Sequence, residues 1–312
     1  MSEVKVSLVM AVYNGEKYIK EQMDSVRNQT MKPDEVILCD DGSSDSSVEL
    51  VRQYIQEHEL QDSWKLYINE KNLGYADNFY SGMQKATGEY IFLCDQDDIW
   101  MLDKIERMVK IMDENPHIQM LGSEFEPYYF TEDAPEISAG VLKQMTHDES
   151  LEYKELNYKN IFIGSEGCTM CIRTDLLRQT QKYWFAGWPH DEYVWKMALC
   201  LKGCYIYHHP TLKRRLHSDN VSKRKMHAVE RRVIFLKKLL QSHEAMLQFA
   251  LDLKLPAADI KLIQMNIDSV KLRIELLQER KWYHTFVLAT KYFNCYHSRK
   301  SIPVELLMAL KG

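Results

Sequence analysis

The stretch that decides the fold is Tyr90-Ile91-Phe92-Leu93-Cys94-Asp95-Gln96-Asp97-Asp98-Ile99-Trp100. Five apolar or aromatic residues run directly into three carboxylates. A short apolar run this rich in aromatic residues reads as a buried strand. The carboxylates then fall just past its carboxyl end, the edge at which open parallel α/β sheets bind ligands. Asp95 and Asp97 stand two residues apart, so extended backbone aims them the same way. Neighbouring negative charges repel one another unless something positive lies among them. A hard divalent cation with oxygen ligands, Mg²⁺ or Mn²⁺, meets that need, and such a cation usually accompanies a phosphate-bearing substrate. Two plainer readings compete. Acidic residues after a strand also cap helices, a role open to Asp98 or Asp103. An EF-hand loop counted from Asp95 would end on Glu106, but Trp100 then stands where the sharp turn needs Gly.

Working outward, Val4-Lys5-Val6-Ser7-Leu8-Val9-Met10-Ala11-Val12 reads as a first strand, ended by the turn residues Tyr13-Asn14-Gly15. A helix follows with Ile19, Met23 and Val26 on one face. Glu35-Val36-Ile37-Leu38-Cys39 is a second strand, running into Asp40-Asp41-Gly42-Ser43-Ser44-Asp45 and a helix carrying Val48, Val51 and Ile55. Lys65-Leu66-Tyr67-Ile68 is a third strand, followed by a helix with Phe79 and Met83. After the acidic strand, Leu102, Ile105, Val109 and Met112 mark another helix, stopped near Asn115-Pro116. Strand and helix alternate four times, which predicts an α/β fold with a doubly wound, mostly parallel sheet. Neither a G-x-G-x-x-G after the first strand nor a G-x-x-x-x-G-K-[ST] occurs, which argues against dehydrogenases and P-loop NTPases.

Residues 117–165 read as sheet edge and a loop over the site, 167–173 as a strand and 175–182 as a helix. The polar cluster His190-Asp191-Glu192 opens a helix expected over 192–201. There Asp191 is either a cap or a general base. Residues 204–208 read as a strand. Beyond it, His217 is a metal ligand or a satisfied buried histidine. From residue 223 the strands give way to long helices. Ile260, Ile263, Ile267, Val270, Ile274 and Leu277 form a heptad seam, and with Val229, Val233, Leu236, Leu240 and Phe249 they predict a helical hairpin divided near Pro256. The division expected is 1–222 for the catalytic domain and 223–312 for a helical C-terminal region.

The 312 residues suffice for one large domain plus an appendage, and the net charge of −5 gives no pull towards nucleic acid. No apolar run approaches the length of a bilayer span. Met1-Ser2-Glu3-Val4-Lys5 leads straight into a strand pattern, so no signal peptide is expected. Seven scattered cysteines suit a reducing cytosol. Cys168, Cys171, Cys200 and Cys204 superficially suggest a zinc site, but both pairs sit in apolar patterns where free cysteine is a common core residue.

Taken together, Tyr13-Asn14, Asp40-Asp41-Gly42-Ser43, Asn72-Leu73-Gly74 with Asn78, and Gly88-Glu89-Tyr90 leading into Asp95-Gln96-Asp97-Asp98 resemble the family-2 inverting glycosyltransferases of the GT-A fold. The match runs in order over residues 1 to about 222. The Asp-Gln-Asp-Asp-Ile-Trp form, Gly167-x-Thr169-Met170, His190-Asp191, His217-x-x-Asn220 and the tail Tyr283-His284-Thr285-Phe286-Val287 are similar to bacterial rhamnosyltransferases of cell-wall and surface polysaccharides.

The resemblance implies roles residue by residue. The nucleotide would lie against Tyr13, Asn14, Asp40, Asp41, Asn78, Asp95 and Gln96, with Tyr13 and Asp41 on the base. Asp95, Asp97 and His217 would hold Mg²⁺ or Mn²⁺, and Asp191 would be the catalytic base. Ala11 departs from the pattern, since many members carry Thr or Pro there. The implied reaction moves L-rhamnose from dTDP-rhamnose onto a saccharide or lipid-linked saccharide. A UDP-hexose transferase and a non-catalytic carbohydrate-binding scaffold stand as alternatives. A sugar nucleotidyltransferase would show a Gly-rich basic loop, which Met10 to Tyr18 is not. The expected location is the cytoplasm. The tail 280–312, with Arg280, Lys281, Lys291, Arg299, Lys300 and Lys311 against Glu305 and with interleaved aromatic rings, predicts either peripheral membrane contact or packing, including a homodimer seam through the C-terminal helices.

Overall fold

The computed structural model describes residues 5–217 and 228–311. Asn220 and the expected division at 222 lie outside them. The chain forms two compact units. One gathers Met1–Lys154, Ser165–Gln181 and Phe185–Asn220, and the other Glu155–Gly164, Lys182–Trp184 and Val221–Gly312.

The first unit opens with β1 (Val6–Val12), α1 (Ile19–Arg27), β2 (Glu35–Asp40), α2 (Ser47–Glu57), β3 (Trp64–Ile68), α3 (Tyr75–Met83) and β4 (Tyr90–Asp95). It continues with β5 (Ile99–Trp100), α4 (Lys104–Glu114), β6 (Met120–Tyr129), α5 (Ala139–Leu142), β7 (Leu151–Tyr153), β8 (Cys171–Arg173), α6 (Thr174–Thr180), α7 (His190–Cys200) and β9 (Cys204–Leu216). The strand order is β3-β2-β1-β4-β8-β6-β9-β5, with β7 also on β9. β1 lies parallel to β2 and β4, and β2 parallel to β3. β8 is antiparallel to both β4 and β6, and a long parallel ladder joins β6 to β9. The antiparallel ladders are short, so the sheet is mostly parallel. This is the GT-A fold, a doubly wound α/β sheet accompanied in this chain by C-terminal helices.

Central strands covered on both faces lose the alternation of half-exposed strands. Accordingly Val6, Leu8, Val9, Met10 and Val12 of β1 and Ile91, Phe92, Leu93 and Cys94 of β4 are all buried. Ile19, Met23 and Val26 of α1, Phe79 and Met83 of α3, and Ile105, Val109 and Met112 of α4 cover the sheet as their spacing predicts. The α2 stripe turns by one position, to Val51 and Tyr54, and Leu102 is exposed ahead of α4.

Other differences lie beyond β4. Residues 117–165 hold the ten-residue strand β6, inside the sheet. Gly167–Thr169 is a 3₁₀ turn, leaving β8 only three residues. β9 continues well past His208 to Leu216. Both long strands carry polar residues that turn residues alone would place in loops. Ser123 on β6 meets the Thr211 hydroxyl at 2.6 Å, and Glu124 accepts from the Thr146 and His147 amides. Pro210 of β9 pairs beside a register shift at Ser123/Glu124, where its missing donor is tolerated.

The second unit contains α8 (Val229–Asp252), α9 (Ala257–Gln278), α10 (His284–Thr290) and α11 (Ser301–Lys311). The hairpin breaks at Pro256 as its sequence predicts. Ile263, Ile267, Val270 and Leu277 of the seam are buried, and Val270 and Leu277 cluster with Val233, Leu236 and Leu239 of α8.

Candidate active site

Parallel register brings three strand ends to one rim. Val12 of β1 lies opposite Asp40 of β2, and Ala11 opposite Asp95 of β4. Short polar contacts then lock the loops. The Gln96 side chain accepts from the Tyr13 amide at 2.9 Å and donates to the Tyr13 carbonyl at 2.8 Å. The Asn14 amide donates to Ser43 Oγ, and Asn14 Oδ1 accepts from the Ser44 amide. A side chain at Gly15 would strike Gln96 Oε1, so glycine is needed for this close approach. The Tyr13 ring is half exposed above the rim.

Asp40 and Asp41 are both buried. Asp40 accepts from the Gly42 and Ser43 amides, the turn role its sequence context allowed. Asp41 accepts from Asn69 Nδ2 at 2.9 Å and from the Leu73 and Gly74 amides at 2.7 and 2.8 Å. Asn69 also donates to Asn78 Oδ1, and Asn78 donates to the Cys39 carbonyl. Asp41 and Asn78 therefore share one hydrogen-bonded network that fixes the Asn72-Leu73-Gly74 approach to α3.

The acidic loop carries the strongest electrostatics. His217 Nε2 lies 2.9 Å from Asp97 Oδ2, although the two are 120 residues apart in sequence. The His217 ring packs on Tyr18, with centroids 4.6 Å apart. Asp95, Asp98 and Cys168 bring their ligand atoms within 4.8 Å of one another, the one such grouping of His, Cys, Asp and Glu among the described residues, and the Asp97–His217 pair is not part of it. Burial, then the charges of Asp98 and Asp97, hold the Asp95 carboxyl well above the usual carboxylate range. Burial and the Asp97 charge push Asp98 up to about 7. Asp98 Oδ1 accepts from the Arg215 amide, while its buried Oδ2 has no hydrogen-bond partner. Burial also keeps the Cys168 thiol protonated. Crowded carboxylates and an orphaned buried oxygen fit a hard cation better than a thiolate-bound metal. The four cysteines weighed for zinc do not gather among the described residues.

Asp191 lies in the first turn of α7, one residue inside the helix. Its Oδ1 accepts from the Glu192 amide. Burial pushes its carboxyl up to about 7, and Glu192 and Glu166 add to the shift. The helix start rests on the 3₁₀ turn that presents Cys168. A Cβ added at Gly167 would sit 2.8 Å from His190 Nε2 and 3.4 Å from Asp191 Cβ. His190 is buried, stacked on Phe79 at 3.9 Å, and desolvation pushes its pKa down to about 3, so it stays neutral.

Three cations near the acids were not singled out by sequence. Arg214 donates to Glu166 at 2.9 Å, and its charge acts on Asp95 and Asp98. Arg215 is buried, donates to the Asp97 carbonyl at 2.7 Å and to Glu21, and packs over Tyr18, Tyr128 and Phe130. Lys104 is fully buried, donates to the Cys168 carbonyl at 2.6 Å and lies 3.8 Å from the Trp100 ring centre. The adjacent pair Arg214-Arg215 just before His217 was the available signal. Lys104 offered none, because it looks like any lysine in the first turn of a helix.

Glycosyl transferase family 2 matches residues 7–178. The match holds β1 to α4 and the acidic loop, while Asp191 and His217 lie beyond it. The putative glycosyltransferase EpsE of Bacillus subtilis is 34% identical over 119 residues, 38% of this chain and 42% of EpsE. An uncharacterized glycosyltransferase of Haemophilus influenzae is 28% identical over 197 residues, 63% of this chain and 72% of that one. Among solved structures, S. aureus TarS 1–349 in complex with UDP aligns with a TM-score of 0.59 at 17% identity, covering 98% of this chain and 90% of that chain. The mannosyltransferase PcManGT from Pyrobaculum calidifontis, in complex with GDP-Man and Mn²⁺, aligns with a TM-score of 0.56 at 16% identity, covering 98% and 86%. With more than half of its length matched and its acidic strand end inside the match, this chain belongs to glycosyl transferase family 2.

Proposed function

We propose that this protein is a divalent-cation-dependent, inverting glycosyltransferase that moves a sugar from a nucleoside diphosphate sugar onto a saccharide or lipid-linked saccharide. One observation carries the reading. Asp191, its pKa pushed up to about 7, stands against the turn that presents Cys168 to the Asp95–Asp98 cluster. A base of that pKa beside a crowded acidic rim suits removal of an alcohol proton near neutral pH.

Asp95, Asp97 and His217 would hold Mg²⁺ or Mn²⁺. When bound, the cation supplies positive charge that stabilises the departing diphosphate. The base and ribose of the donor would lie along Tyr13, Asn14, Asp41, Asn78 and Gln96, with Asp40 shaping the loop beneath. Asp191 Oδ accepts the acceptor's hydroxyl proton as that oxygen bonds to the anomeric carbon. The bond from that carbon to the diphosphate oxygen breaks, and its electron pair leaves with the nucleotide. A single carboxylate suffices, because the nucleophile is an alcohol and no covalent enzyme intermediate forms. Arg214, charged and close in electrostatic terms to Asp95 and Asp98, limits mutual repulsion at the rim.

For the donor we favour dTDP-L-rhamnose, on the Asp95 to Trp100 motif, and for the location the cytoplasm. The resemblance to rhamnosyltransferases supports this choice. A calorimetric comparison of dTDP and UDP with Mn²⁺, followed by a transfer screen of nucleotide sugars, tests it. Tighter binding of dTDP with rhamnosyl transfer is the expected result. Preference for UDP with turnover of UDP-glucose or UDP-galactose would assign the donor to the UDP-hexoses instead.

A further inference from the structure

The stretch 280–311 contains α10, a short 3₁₀ turn at Phe293–Cys295 and α11, all within the helical unit. The structure sorts its aromatic residues into two sets. Tyr292 and Tyr296 are buried with Leu276, Leu288, Cys295 and Ile302, so packing accounts for these two. Trp282, Tyr283, Phe286 and Phe293 are exposed, Trp282 by 59% and Phe286 by 76%. Trp282 lies in the turn that leads into α10, and Phe286 lies in the first turn of that helix.

α11 shows the same excess. Ile302, Glu305 and Ala309 are its buried positions. The outward positions Val304, Leu307 and Leu310 are exposed and equally apolar. A helix apolar on every side is normally covered. Meanwhile the stretch's one acid is withdrawn from the surface. Glu305 has no exposure, and it accepts from Arg273 Nε at 2.9 Å and from Arg232 Nε at 2.8 Å. Lys281 is answered by Glu275 and Glu279, but Arg280, Lys291, Lys300 and Lys311 form no ion pair within 4.0 Å among the described residues. Within the stretch, every charged side chain left at the surface is therefore cationic, and Arg299 lies 4.4 Å from the centre of the exposed Phe293 ring, while Glu275 and Glu279 outside it answer Lys281.

We propose that α10 and α11 dock peripherally on an anionic lipid surface. Amphipathic rings settle at headgroup depth, and each Lys or Arg held near an anionic leaflet strengthens binding by about fivefold. A second copy fits the same face poorly. A two-fold interface would set the patch against itself and bring its cations together. The inference concerns where the enzyme is held and goes beyond its reaction.

Sedimentation of the full chain with phosphatidylcholine vesicles, with and without phosphatidylglycerol, tests it and needs no turnover. Binding is expected only to the anionic vesicles, at low salt, and weakened at high salt. Trp282→Ser with Phe286→Ser should lower partitioning at least tenfold, and Arg280→Glu with Lys300→Glu should remove the preference for anionic lipid. All four side chains are solvent-exposed or only partly covered, so thermal melting should not change. Absence of binding to anionic vesicles at low salt overturns the proposal, as does binding unaffected by both double variants. A dimer in light scattering that Phe286→Ser splits, without vesicle binding, assigns the face to a second copy and also overturns it.

Discussion

Replacing Asp191 by Asn keeps the shape of the side chain and removes its basicity. In the wild type, burial, with Glu192 and Glu166, pushes the carboxyl up to about 7. As general base Asp191 must be ionised, so kcat should fall about tenfold for each pH unit below that value and level off above it. General-base catalysis contributes about 10²- to 10⁴-fold, so the variant should lose roughly 3 to 5 kcal/mol of transition-state stabilisation. Its residual rate should no longer show the limb near pH 7. Donor affinity should stay within about threefold, because Asp191 belongs to α7 and not to the β1, β2 and β4 loops that frame the nucleotide. Stability moves the other way. Between the ordinary 3.8 and the folded value of about 7 the folded protein binds more protons than the unfolded chain, so wild-type stability falls as pH rises through that window and stays lower above it. Asn carries no such penalty, and the variant should melt at the same temperature or a few degrees higher at pH 8. The assay is stopped-time product formation from pH 5.5 to 9, with calorimetry of nucleotide binding alongside. A variant that keeps kcat and loses nucleotide binding refutes the role, as does a wild-type profile flat through pH 7.

Two further substitutions probe the same rim. Asp97→Asn should nearly abolish turnover while leaving the circular dichroism spectrum and melting temperature close to wild type, and EDTA should silence the wild-type enzyme until Mg²⁺ or Mn²⁺ is restored; full turnover by a metal-free preparation would contradict this. Gly167→Ala places a methyl 2.8 Å from the buried His190 ring and should cost about 1 to 3 kcal/mol in a urea melt, with kcat falling more than KM rises as α7 shifts Asp191. Unchanged stability and kcat would show that the Gly167 contact does not position the base.

The legible part of this protein was its first hundred residues. There the strands are unbroken apolar runs followed at once by turn residues, and the helices repeat at three and four. The acidic rim was legible too, since two separate strands each end in adjacent Asp residues. Residues 117–165 and the far half of β9 were not, whereas β8, α6, α7 and the start of β9 fall close to where their sequence places them. β6 and β9 carry Gly122, Ser123, Glu124, Pro127, His208 and Pro210, and local preference reads these as loop. They are strand because a neighbouring strand satisfies them, as Thr211 does Ser123 and the Thr146 and His147 amides do Glu124. The tail divided likewise: Tyr292 and Phe293 are adjacent and similar, yet packing takes one and leaves the other outside.

The sequence alone determined the alternation of strands and helices, the parallel sheet that follows from it, and the strand end at which charge would concentrate. These depend on interactions within a few residues or on a period that repeats along the chain. Tertiary structure decided which distant side chains meet there: His217 on Asp97, Cys168 beside Asp95 and Asp98, Lys104 beneath the turn, and Asp191 held against Gly167. It also raised the Asp191 pKa to about 7, because desolvation depends on what the whole fold packs around a carboxyl and leaves no mark on its neighbours in sequence.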